Sequence, residues 1–181
     1  MTKCNLMLAC KKTVFRLLTV VCFVTTISAA LIAQSSPEVH LDAEGLAPRS
    51  IEELTGTTIV HHYAQAWRDL EDALQASRSD ALGEEFTGVA KNRLTQRILG
   101  QQRTGVHVRI VDHAHHLKAL FYSTDGTAMQ LVDQAQLEIQ TFDGNKLLDT
   151  QNAPHEYMVL MTPGADRWYI RDLEEVPAKS N

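Results

Sequence analysis

The apolar periodicity of this chain changes once, at Gly105, from the spacing of a helix to the alternation of a strand. Before Gly105, Ile59, Tyr63, Ala66, Trp67, Leu70 and Leu74 recur at intervals of three and four, which lines up one helical face. Arg68, Asp69, Glu71, Asp72 and Gln75 fall mostly elsewhere. The spacing predicts a helix over 58–77, capped by Thr57 or Thr58. Ahead of it, Ser50-Ile51-Glu52-Glu53 has the capping-box spacing, with Gly56 limiting that first turn. Ser79 and Asp80 restart a short helix through Leu82, and Thr87 caps a third with Val89, Leu94 and Ile98 inside. After Gly105 the period is two. Val106, Val108 and Ile110 alternate with His107 and Arg109. Leu117, Leu120 and Tyr122 form a further stretch beyond a bulge at 112–115. Asp125 and Gly126 signal a hairpin turn. Met129, Leu131, Ala135, Leu137 and Ile139 then alternate with glutamines, and only Val132 and Asp133 break the phase. Turns at 142–145 and 163–166 set off strands over 157–162 and 167–173. Helices followed by antiparallel strands define an α+β domain, not a βαβ repeat.

What precedes the domain is of another kind. Residues 17–33, LLTVVCFVTTISAALIA, carry no charge, and Lys11, Lys12 and Arg16 stand before them. This is the layout of a secretory signal and, at about the minimum length for a bilayer-spanning helix, of a signal anchor. Ser28, Ala29 and Ala30 supply the small residues a signal peptidase reads. In either case the positive flank stays in the cytoplasm and the rest of the chain lies outside it: single-pass and periplasmic or extracellular if the segment is kept, secreted if it is cleaved. Residues 34–49, QSSPEVHLDAEGLAPR, read as a linker, 50–177 as the domain and 178–181 as a tail.

Charge and cysteine restrict the function classes. Residues 1–30 hold four of the 17 basic side chains and no acid, so all 22 acids belong to the rest. An acidic domain without a basic stripe is not built to neutralise a phosphate backbone, so nucleic acid is not an expected partner. Cys4, Cys10 and Cys22 all lie in the first segment. The domain therefore has no disulfide, thiolate metal site or cysteine nucleophile. It also lacks a Ser-His-Asp set, a Gly-rich phosphate loop and an HExxH motif, and no cofactor is expected.

Four features together resemble the NTF2-like superfamily. They are a long first helix containing Tyr63-Ala64-Gln65-Ala66-Trp67, a short helix pair ending near Gln101-Gln102-Arg103, two long strands joined at Asp125-Gly126, and a closing hairpin. That hairpin joins Tyr157-Met158-Val159-Leu160 to Arg167-Trp168-Tyr169-Ile170. The resemblance covers about residues 58–176. It implies a cone in which three N-terminal helices pack on a curved antiparallel sheet, here preceded by one hydrophobic helix. Within the superfamily the chain looks closest to the Tim44-like and chloroplast-division-protein-like branch, whose domains follow a transmembrane helix and act in protein contacts. Other members are isomerases, cyclases and dehydratases, so fold alone does not choose a function.

The candidate sites follow from these placements. An acid/base pair inside the cone would be drawn from His62, Tyr63, Asp133 and Tyr157, because Asp133 has an inward phase and a buried carboxylate titrates high. His113, His115 and His116 are weak metal candidates. His113 and His115 would share one strand face, and His107, Asp112 or His155 would have to complete the shell. The alternative is a solvated edge or bulge. Trp67 and Trp168 sit in periodic apolar runs and read as core anchors. Gln130, Val132, Gln134, Gln136 and Gln140 share one face with Glu138 as its formal charge, which suits an interface. The expected role is a non-enzymatic interaction or scaffolding module that binds a protein partner or itself. The competing role is a small-molecule enzyme.

Overall fold

The computed structural model describes residues 37–177. The hydrophobic segment expected over 1–33 and the tail at 178–181 lie outside the described residues. Among those described, no helix is long and apolar enough to cross a membrane. The order is a short strand β1 (Glu38–Asp42), helix α1 (Glu53–Ala76), a 3₁₀ turn at Ser79–Ala81, helix α2 (Gly88–Thr104), and four strands: β2 (Val106–Tyr122), β3 (Met129–Asp143), β4 (Lys146–Pro163) and β5 (Trp168–Glu175). They form one five-stranded sheet in the order β1-β2-β3-β4-β5. The pairing is antiparallel except for β1, which runs parallel to β2. This is the α+β cone expected, with two α-helices packed on a curved sheet and the middle helix reduced to a single 3₁₀ turn.

Helix α1 buries Ile59, Tyr63, Ala66, Trp67, Leu70, Ala73 and Leu74, the face its periodicity marked out plus Ala73. It starts a turn earlier than expected, with Glu52 as its N-cap. Thr57 and Thr58 are therefore not caps; their hydroxyls donate back to the carbonyls of Glu53 and Leu54. The far end stops at Ser77 in the left-handed region, φ 50°. There the carbonyl of Leu74, which takes the Ser77 amide at 3.2 Å, also accepts from Gln101 Nε2 of α2 at 3.0 Å, so α2 helps to cap α1. Helix α2 ends at Gly105, whose φ of 73° few side chains tolerate.

The inward face of the sheet, Leu117, Ala119, Leu131, Ala135, Leu137, Val159, Met161 and Ile170, meets α1, and Trp67 is 1% exposed in that core. Burial of aromatics of this size dominates core energetics. Trp168 also lies in the core.

Two expectations change. Residues 38–42, read as part of a linker, are a strand whose Val39 and Leu41 pack on the core. Strand β4 begins at Lys146 rather than 157. Its first nine residues are exposed and carry no period-two signal, so only the pairing to β3 makes them a strand. The register of β2 against β3 shifts between Asp112 and Ala114, a bulge where one was expected. It interrupts one continuous strand instead of separating two.

Candidate functional site

Three elements bring ionisable side chains together under α1. The helix supplies Tyr63, Trp67 and Glu71, spaced by four along one face. The bulged strand β2 supplies Asp112 and His115. Strand β3 supplies Asp133, paired across to Leu117 on one side and Tyr157 on the other. His115 and Asp133 are both 0% exposed. His115 Nδ1 lies 2.7 Å from Asp133 Oδ2, and its Nε2 lies 2.8 Å from Asp112 Oδ2. The Tyr63 hydroxyl donates to the same Asp133 oxygen at 2.7 Å. The amide of Asp112 donates to Glu71 Oε1 at 2.9 Å. Opposite His115 across the sheet is Ala135, whose small side chain leaves room for the ring.

The electrostatics follow from these contacts. Burial alone pushes the His115 imidazolium down. The hydrogen bonds it donates to Asp112 and Asp133, and their negative charges, outweigh it and raise the pKa to about 9. The ring is therefore a cation at neutral pH and donates from both nitrogens. The Trp67 ring lies 4.5 Å away, centroid to centroid, close enough for a cation–π contact. Burial, followed by the Asp133 charge, pushes the Tyr63 hydroxyl well above its ordinary range. Burial does the same to Tyr157, with Glu175 adding to it. Both phenols stay protonated and serve as donors or packing groups. Glu71 is raised by burial, against the Asp112 amide bond.

Of the four acid/base candidates, Tyr63, Asp133 and Tyr157 thus sit around one locus. His62 does not join them. Its Nδ1 is 3.9 Å from Glu85 Oε1, on the side where Arg167 pairs with Glu84 at 2.9 Å. Burial and then the neighbouring His61 hold His62 below its usual range. Asp133 keeps the inward phase its position gave it, with no bulge at 132–134. The histidine string is divided: the bulge leaves His113 exposed, turns His115 into the core and sends His116 to the opposite face. His113 and His115 therefore do not share a face, and His115 is no solvated edge residue. Sequence reasoning missed His115 and Asp112 as partners of Asp133. The signal was present, since His115 is in phase with Leu117 and Ala119.

The outer face of the sheet, away from the helices, is the other candidate. Gln130 pairs across to Leu160, Val132 to Met158, Gln134 to Glu156 and Gln136 to Pro154, while Lys118 stands on the other side of Val132. Leu160 is 38% exposed and Phe121, opposite Gln130, 43%. Amides and apolar groups hold the centre. Lys118, Glu156, and Asp172 and Glu174 of β5 hold its margin.

No protein-family model matches the chain, and no curated protein matches it. Among solved structures, the chain is similar to the intermembrane-space region of the chloroplast protein ARC6. The TM-score is 0.59 at 16% sequence identity, over 72% of this chain and all of that one. A structure from Catenulispora acidiphila aligns with a TM-score of 0.42 and 13% identity, over 66% of this chain and 88% of that one. The likeness to the ARC6 region shows the fold alone: the described domain has an α+β cone fold of the NTF2-like kind.

Proposed function

We propose that this chain is a non-enzymatic protein-interaction or scaffolding module of the Tim44-like and chloroplast-division-protein-like kind. Its N-terminal segment anchors or exports it, and its domain works outside the cytoplasm. The observation that carries this reading is the contrast between the two faces of the sheet. On the inner face the groups suited to acid/base chemistry are bonded to one another: Asp133 to Tyr63 and His115, and His115 to Asp112. They lie beneath Trp67, buried in the core. On the outer face an amide and apolar centre sits within a charged margin, which is the anatomy of a contact surface. The likeness to an intermembrane-space domain is consistent with a membrane setting.

Capture of the full chain from mildly solubilised native membranes tests the reading. A specific partner, or the chain itself, is expected to be recovered with wild type and lost with Val132→Lys/Gln136→Lys. Equal recovery with both proteins, or no specific recovery with either, would overturn it.

A further inference from the structure

Strand β1 places a second histidine where the sequence alone showed none. Parallel pairing sets His40 of β1 directly opposite His116 of β2. Both residues point to the outer face and both are exposed. Neighbouring strands lie about 4.7–4.9 Å apart, and the two imidazole centroids are 5.9 Å apart, edge to face. They open onto a shallow depression of about 320 Å³ that is also lined by Asp42, Lys118, Val132 and Gln134.

The geometry points to a binding site for a divalent late transition ion, of the nickel, copper or zinc class, held by the His40 and His116 imidazoles. Two imidazoles at adjacent, in-register strand positions can each turn one nitrogen to a common ion at about 2.0–2.1 Å. Because both side chains are exposed, that rotation disturbs no packing. Imidazole selects these metals over calcium and magnesium, which need cages of oxygen ligands. Among the described residues no three histidine, cysteine or carboxylate groups converge to hold a metal, so water fills the remaining positions. Asp42 and Lys118 are opposite one another in the next row, so their charges offset and leave the depression near neutral. The site is complete within one chain. It differs from any set built on His113 and His115, which the bulge separates.

Calorimetric titration of the full chain, purified in detergent without a histidine tag, with Ni(II) tests the assignment. One saturable equivalent per chain is expected. Loss of an outer-shell partner alone costs about 10–100-fold in metal affinity, so His40→Asn and His116→Asn should each weaken binding by at least about tenfold. His113→Asn, exposed on the same strand but outside the pair, should bind as wild type does. Near-UV circular dichroism confirms that the variants are folded. Absence of a saturable site in wild type, or undiminished binding in either His40→Asn or His116→Asn, would overturn the assignment and leave the pair as aromatic packing.

Discussion

His115 is a buried cation held between two carboxylates, and that makes the stability of the fold depend on pH in a definite direction. Its folded pKa is raised from 6.5 to about 9. The folded state therefore holds the proton more tightly than the unfolded chain. The resulting stability is fully present below pH 6.5 and is lost as pH rises through 9. The separation corresponds to roughly 3 kcal/mol. Unfolding by urea at a series of pH values should show the free energy falling by about that amount between pH 6.5 and 9. Wild type with no decline across this window would refute the charged assignment. His115→Asn should lack the slope. It should also lose roughly 3–5 kcal/mol at neutral pH, because Asp112 and Asp133 are left buried without their cation. At this scale the sequence was half legible. Phase alone placed Asp133 inside and Trp67 in the core. The partners were hidden because they come together only through a bulge at 112–114 and a helix whose Tyr63 stands 70 residues before Asp133, neither of which a local pattern encodes.

At the scale of elements, what the sequence displayed and what it concealed divide along burial. Helix α1 has one face against the core, so its 3.6-residue period was visible in the order of apolar residues. Strand β3 has one face inside and one outside, so its alternation was visible too. Strand β1 has that contrast over only five residues, too few to stand out, and the first half of β4 lacks it. Val39 and Leu41 are only two apolar positions in a stretch rich in Ser, Pro and Gly. Residues 146–154 are exposed throughout, so no pattern is required of them. The strand assignment of β1 makes a specific demand. Val39 and Leu41 pack on the core, so Val39→Ser/Leu41→Ser should destabilise the domain by roughly 2–4 kcal/mol. Glu38→Ser/Asp42→Ser, at exposed positions of the same strand, should change stability by less than about 0.5 kcal/mol. Chemical denaturation of the two double variants decides between strand and linker. Equal, small effects would mean that the segment is held only loosely to β2.

For the molecule as a whole, the remaining issue is which surface faces a partner. The described residues, 37–177, form one compact unit with its own core. Among the described residues, the helices cover the inner face of the sheet and no element packs on the outer face. Its centre offers Val132, Met158, Leu160 and Phe121 beside Gln130, Gln134 and Gln136. A sheet face kept in water ordinarily carries mixed charges, whereas interface cores are depleted of them. Gln130 already turns its amide onto Met158 Sδ at 3.2 Å, which leaves the centre flat and weakly polar. Amide side chains pair with copies of themselves, so a two-fold contact places like residues together without repulsion. A chain of residues 35–181 is therefore expected to dimerise through this face. In such a contact Val132→Lys and Gln136→Lys bring ammonium groups into apposition near the symmetry axis. The variant should sediment as a monomer at concentrations where wild type is a dimer. High salt should restore part of the association, since a Debye length of about 3 Å at 1 M screens the added charges. Wild type that remains monomeric at high micromolar concentration would sink this prediction, and so would a double-lysine variant that dimerises as well as wild type.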